Sequence, residues 1–285
     1  MAWHPNDLVG DQDLADYEPE VLTRFGQQSW QPRRTKALED WLFPILKGQQ
    51  FDPFQLRTRY VPEHVWGYTA SAYTDRTAVA SDDTVDDLNL ATLFATVGTD
   101  ALYVGSDRPF RGLFFRLLDS VSAVASVMTV AYWDGHWQTM PIQDGTAQTT
   151  GKTFSGGGSV TWTLPTDWAV RKVSTAGPHY WVKVTVSATP TSATCSQMSC
   201  IRVSALRAPA TLRTLALIFR EAPTGADGPW LAKAEYYEKE ADAALQRALA
   251  IVGGEFDTDA DDVVSATEAE QTSAEAGGGW RLERA

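Results

Sequence analysis

The residues whose types and spacing could do chemistry lie near the end of the chain. Asp257, Asp259, Asp261, Ser265 and Glu268 fall at positions 1, 3, 5, 9 and 12 of a twelve-residue stretch, with Val263 at position 7. A hard cation such as Ca2+ takes about six to eight oxygens, and this spacing lets one short loop supply most of them. The carboxylates of Asp257, Asp259, Asp261 and Glu268 would bind directly, Val263 through its carbonyl, and Ser265 through a water. Asp262 stands at the sixth position, where the sharp turn favours Gly with a positive φ, so the loop departs from the pattern there. The other reading of the same residues is a solvated acidic tail.

Elsewhere the usual catalytic constellations are missing. His4, His64, His136 and His179 are scattered, with no metal-ligand spacing, and there is no Gly-x-Ser-x-Gly elbow. Cys195 and Cys200 make neither a disulfide framework nor a zinc pattern, and read as reduced thiols. The stretch from Gly145 to Thr153 imitates a phosphate loop. It has five residues between Gly145 and Gly151 where that loop has four, and glycines and a strand follow instead of a helix. The expectation is a non-enzyme with no cofactor apart from that candidate Ca2+.

A third group is aromatic: Tyr132, Trp133, Trp137, Trp162, Trp168, Tyr180 and Trp181. Trp162 and Tyr180 have apolar neighbours two residues away, which places them in a core. Trp133, Trp137 and Trp181 are expected to face outward, as contacts for a glycan or for another subunit.

The elements that must position these residues follow an α, β, α order. Leu14, Tyr17, Val21 and Phe25 form one helical stripe, with Asp16 as a possible cap and Pro19 in the first turn. A second helix starts near Pro32, and Pro44 should kink or end it. From Ala101 the period becomes two. Met128, Val130 and Tyr132 run into Asp134-Gly135 and then Trp137, a hairpin signal whose two turn positions both want positive φ. Ile201 and Val203 look like a closing strand. Helix returns after Pro209, and Leu231, Ala234, Tyr237, Ala241, Leu245, Ala248 and Val252 keep a three-four rhythm until Gly253-Gly254. Two short helical ends cannot each bury a stripe alone, so they are expected to pack together.

The fold class expected is therefore α+β: a helical bundle built from the N- and C-terminal segments, an inserted antiparallel β-sandwich, and an extended C-terminal arm. The divisions are 1–65 for the N-terminal helices, 66–100 for a connecting segment and 101–205 for the sandwich. Residues 206–254 supply the C-terminal helices, and 255–285 an acidic arm with the EF-hand-like loop.

Composition narrows the function. The chain has 285 residues, 44% of them hydrophobic, and a formal net charge of -12, which disfavours non-specific grip on nucleic-acid phosphates. From Glu255 onward nine acids face two bases, so more than half of the excess charge sits on about the last tenth of the chain. No run is long enough for a membrane span, and the acidic, polar start lacks the pattern of a secretory signal. No membrane contact is expected, and synthesis in the cytoplasm is.

Two sets of phrases carry a resemblance. Tyr17-Glu-Pro-Glu-Val-Leu through Trp30-Gln-Pro-Arg-Arg-Thr-Lys-Ala-Leu, with Leu212 to Arg220 and Lys233 to Val252, resembles the helices of tailed-phage head-to-tail adaptors, and residues 257 to 268 are similar to tails seen in that family. The middle resembles β-sandwich domains of phage neck, baseplate and fibre proteins. The phrases are Leu102-Tyr103-Val104-Gly105, Tyr132-Trp133-Asp134-Gly135-His-Trp137, Asp144-Gly145-Thr146, Leu164-Pro165-Thr-Asp167-Trp168 and His179-Tyr180-Trp181-Val182-Lys183-Val184. The resemblance implies a virion structural protein at the head-tail junction, made in the host bacterial cytoplasm. Its copies would form a ring, expected to be twelvefold, between the portal protein and a downstream neck or tail protein. Double-stranded DNA would pass through the lumen without sequence-specific binding. Trp280, Arg281, Leu282 and Arg284, a Trp, a Leu and two Arg beyond a glycine run, would be the portal-docking residues. The other function considered is a glycan-binding module of a baseplate or tail fibre.

Overall fold

Prolines and turn residues cut the N-terminal segment into short helices. The computed structural model describes residues 8–25, 30–51, 53, 56, 58–82, 87–118, 120–222 and 229–252. Helix α1 (Asp11–Tyr17) starts earlier than its apolar stripe suggests. Gly10 is the N-cap and donates its N–H to Asp13 Oδ2 at 2.7 Å, so Asp16 lies inside the helix instead of capping it. The stripe does not continue as one helix. The chain turns at Pro19 and resumes as α2 (Val21–Arg24), because proline cannot serve a helix interior. Helix α3 (Gln31–Ala37) opens with Pro32 in its first turn, as expected. Pro44 has no N–H for the carbonyl of Asp40 and its ring would crowd that oxygen. A wider π-helical turn, Leu38–Leu42, comes just before it, and α4 (Phe43–Gly48) carries the helix on.

The next unit is built on antiparallel sheets. One has the order β1 (Arg59–Tyr60), β14 (Gln197–Ile201), β6 (Gly112–Arg116), β10 (Gly158–Thr161), β9 (Gln143–Asp144). The larger has the order β3 (Ala72–Asp75), β2 (His64–Thr69), β5 (Ala101–Ser106), β12 (His179–Val186), β7 (Met128–Trp133), β8 (Trp137–Met140), with β11 (Val170–Arg171) also on β12. A two-stranded ladder joins β4 (Leu88–Asn89) to β13 (Thr194–Cys195), and two short helices, α5 (Thr77–Ser81) and α6 (Leu90–Leu93), interrupt the strands. One apolar core draws Val65, Leu102, Val104, Val130, Val182 and Val184 from the larger sheet, and Leu113, Phe115, Val160, Met198 and Cys200 from the other. Alternate residues of both sheets thus face one interior, as in a sandwich. Trp162 is fully buried there and donates its indole N–H to the Phe110 carbonyl at 3.1 Å. Both cysteines are buried and unbridged. Val203, expected to close the sheet, lies past the last strand and is 40% exposed.

Two long helices follow: α7 (Arg207–Arg220) and α8 (Pro229–Leu249). Leu212, Leu215 and Phe219 from α7 and Ala234, Tyr237, Ala241 and Leu245 from α8 share a core with Leu14, Val21, Leu38, Leu42 and Leu46 from the N-terminal helices. Charge pairs join the same two ends of the chain. Asp13, only 2% exposed, is paired with Arg207 (Nε to Oδ1, 3.0 Å), Arg33 pairs with Glu221, and Glu18 accepts from Lys233 Nζ at 2.5 Å and from Tyr237 Oη at 2.7 Å.

The chain divides into two compact units, Met1–Thr58 with Val203–Ala285, and Arg59–Arg202. The β unit therefore begins at Arg59, well ahead of residue 101. The stretch expected as a connecting segment, 66–100, supplies most of β2 and all of β3, part of the larger sheet.

Candidate functional site

Residues directly opposite one another in antiparallel strands point to the same face. The registers His64↔Gly105, Gly105↔Trp181, Trp66↔Tyr103, Tyr103↔Lys183, Tyr68↔Tyr73 and Trp133↔Trp137 therefore put one set of side chains on the face of the larger sheet opposite its core. That outer face is aromatic. Ring centroids are 4.8 Å apart from Tyr68 to Tyr73, 5.5 Å from Tyr73 to Tyr103, 5.4 Å from Tyr103 to Trp137 and 5.5 Å from Trp137 to Trp133. The five rings form a continuous band across the sheet. Neighbours are inclined at 54–70°, so no ring in the band covers the next one face to face.

The band rests on a small second core. Trp66, Ala101, Tyr103, Val173, Ala176 and Trp181 are buried together, with Tyr68 and Trp137 packed against them. Gly105 makes room for Trp181: a Cβ at that position would lie 2.8 Å from its ring. The Trp181 indole N–H donates to the Arg171 carbonyl at 2.9 Å, and the side chain has no exposed surface. This corrects the expectation for Trp181: it is a core residue on this face and has no ring surface to offer a glycan or a subunit. Trp133 and Trp137 are half-buried, and Tyr73 is 38% exposed.

Several polar groups mark the face, and Asp75, opposite Trp66 in the register, is the acid among them. The Arg171 guanidinium lies 3.9 Å over the Trp133 ring and 5.1 Å from that of Trp137, a cation-π arrangement, and its Nε–H donates to the Lys172 carbonyl at 3.3 Å. Lys183 stands between Tyr103 and Ala131, and neither cation has an acidic partner among the described residues. The Trp66 indole N–H is buried and has no hydrogen-bond partner among the described residues. Burial, and then its contact with Tyr73, pushes the Tyr103 phenol pKa up, so the hydroxyl stays protonated as a donor. At the edge of the band, burial and then His179 push the His64 pKa down, while Asp75 pulls the other way.

The helical unit has an aromatic cavity of its own. Phe219 and Trp230 stack at 5.6 Å, Phe25 meets both edge-on, and Lys233 Nζ lies 5.1 Å from the Phe219 ring. Val21, Glu18 and Glu20 complete the lining, and Lys233, already held by Glu18, occupies its polar side.

The candidate Ca2+ ligands Asp257, Asp259, Asp261, Val263, Ser265 and Glu268, and the docking residues Trp280, Arg281, Leu282 and Arg284, lie outside the described residues. Among those described, no group of three or more His, Cys, Asp or Glu could hold a metal ion. The imitation phosphate loop is a tight local knot: the Asp144 carboxylate accepts from the Thr146 N–H at 2.9 Å and from the Thr146 and Thr153 hydroxyls. No described helix is long and apolar enough to cross a membrane.

Reading the sequence did not find Trp66, Tyr68, Tyr73 and Tyr103 as members of this face. The signal was present as alternation: Val65 and Gly67 face inward while His64, Trp66 and Tyr68 face out. It was masked because the turn to β3 uses Ala70 and Ser71, both with positive φ (50° and 64°), without the Gly or Asn that normally marks such a hairpin. No family model matches this sequence, and no curated protein matches it.

Proposed function

We propose that this chain is a structural protein of the tailed-phage particle, a head-to-tail adaptor at the neck of the virion. The observation that carries the reading is the helical unit: both ends of the chain build one core, and residues 59–202 are inserted between them with a core of their own. That is the organisation the adaptor resemblance implies, with α1–α4 and α7–α8 as the bundle. Copies close into a twelvefold ring through heterologous contacts, which make rings when the rotation closes. One end of the ring meets the portal and the other the next neck or tail protein. Double-stranded DNA passes through the lumen, and the net charge of -12 suits a wall that repels phosphates. Trp280, Arg281, Leu282 and Arg284 dock on the portal, and the acidic segment from Asp257 to Glu268 precedes them.

Electron microscopy of the protein mixed with the portal of its phage tests the reading. Rings capping one end of the portal are expected. A chain ending at Phe256 should keep its helical content and lose the portal. Dispersed monomers with no portal contact would overturn the adaptor reading, and undiminished co-assembly of the truncated chain would remove the docking residues.

A further inference from the structure

We infer that His64 and His179 form a two-histidine site for a borderline divalent cation, Zn2+ or Cu2+, on the larger sheet. The backbone brings the two rings together. His64 on β2 and Trp181 on β12 both lie opposite Gly105, and His179 precedes Trp181 by two residues, so all three side chains share one face. Gly105 has no side chain to hold them apart. The imidazole centroids are 4.8 Å apart, with the rings inclined at 59°. Two imidazoles that bind one ion at about 2.0 to 2.1 Å, with an angle of about 90 to 110° at the metal, have centroids about 4.5 to 5.2 Å apart. The pair therefore has the spacing of a chelate before any ion arrives. Trp181 backs it: the ring is fully buried, lies nearly parallel to His64 at 6.2 Å and stands edge-on to His179 at 6.0 Å.

The surroundings select the ion. The Nδ1 atom of His179 is buried and has no hydrogen-bond partner among the described residues. A buried polar nitrogen in that condition lowers stability until something pairs with it, and a neutral imidazole can present a lone pair there. Asp75 is the acid whose charge reaches His64, so it offsets part of the charge of an ion. Its Oδ1 accepts from the Thr77 N–H at 2.8 Å, and no third His, Cys, Asp or Glu among the described residues joins the two rings as a ligand, so waters complete the shell. Nitrogen ligands suit Zn2+ and Cu2+, whereas Ca2+ and Mg2+ want oxygens. Burial and the second ring favour the neutral form of His64, which is the form that binds a metal. An ion held here ties β2 to β12 across β5, independently of any adaptor role.

Titration of the metal-free full-length protein with Cu2+ and Zn2+ tests the assignment, near pH 7 and with Ca2+ in excess to occupy oxygen ligands. The chain has four histidines, so His4→Gln with His136→Gln leaves His64 and His179 as the imidazoles. This double variant should bind one Cu2+ at micromolar concentration, more tightly than Zn2+, and pulsed electron paramagnetic resonance should count two imidazole rings on the ion. Zn2+ should raise its thermal midpoint, because the ion binds the folded sheet and finds no such pair in the unfolded chain. Adding His64→Gln or His179→Gln should weaken Cu2+ binding about tenfold or more and leave one imidazole on the ion. Acidification to about pH 5 should release the ion as protons compete for both rings. A double variant whose spectrum counts one imidazole or none holds an adventitious ion only, and that result overturns the inference. So does Cu2+ binding that keeps its strength when either ring is removed, or the absence of saturable binding at micromolar concentration.

Discussion

His64 and His179 stand 4.8 Å apart between ring centroids at one end of the aromatic face, and this gives the fold a pH dependence whose sign can be derived. Burial is the largest cause of the lowered His64 pKa, and the neighbouring His179 adds to it. Between that lowered value and the ordinary 6.5, the unfolded chain holds a proton that the folded chain lacks. This contribution to stability is thus present above 6.5 and is lost as the pH falls, until the folded histidine also protonates. His64→Gln should flatten the decline of the denaturant midpoint between about pH 7 and pH 5 relative to the natural protein. An unchanged slope would mean that His64 is not its source. The same face shows the limits of residue type as evidence. Trp133, Trp137 and Trp181 occupy one row of the sheet, yet only the first two keep exposed surface. What buries Trp181 is the segment carrying Val173 and Ala176, together with the missing side chain of Gly105.

At the scale of elements, the contact between α7 and α8 is both apolar and ionic. Glu238 of α8 lies between Arg213 and Arg220, two turns apart on α7. Partial burial pushes its carboxyl pKa up, but the two guanidinium groups outweigh that and hold it below the usual carboxylate range. Because the pairs are partly exposed, Glu238→Gln should cost the helical unit only about 1 kcal/mol, less at high salt. Chemical denaturation followed by circular dichroism at low and high salt checks this. The contribution is present above the ordinary glutamate value and fades as the pH falls through the lowered one. Helices of this length were legible from their rhythm: the stripe from Leu231 to Val252 marks α8 with little ambiguity, because several turns repeat it. The N-terminal stripe was misleading, since Leu14 to Phe25 keeps the spacing across a break that Pro19 imposes. In the β unit, Asp134-Gly135 marked a true hairpin, but its loop has three residues and only Gly135 has positive φ (122°). The hairpin at Ala70-Ser71 had no marker, and that is why the sheet appeared to begin some 40 residues too late.

At the scale of the whole molecule, an insertion between two helices must leave the host chain close to where it entered. The β unit meets this requirement in its own hydrogen bonding: Arg59, its first residue, is paired across the sheet with Ile201, one residue from its end. Opposed residues of an antiparallel pair lie about 5 Å apart at Cα. Thr58 is therefore bonded to one residue of a pair that the ladder holds together, and Val203 follows the other by two residues, so the insertion asks little of the helical unit beyond a short bridge. Each unit also has its own apolar core, so neither needs the other to bury its side chains. Residues 59–202 expressed alone should give a cooperative thermal transition and the near-ultraviolet dichroism of fixed aromatic rings. Joining Thr58 to Val203 through a few Gly and Ser residues should give a protein of undiminished helical content per helical residue. If the excised sheets are unfolded at room temperature, the core between them is insufficient by itself, and the two units must be regarded as one folding unit. If both pieces fold, the proposed adaptor role can be tested on the helical unit without the β unit, and a defect in one unit need not carry the other with it.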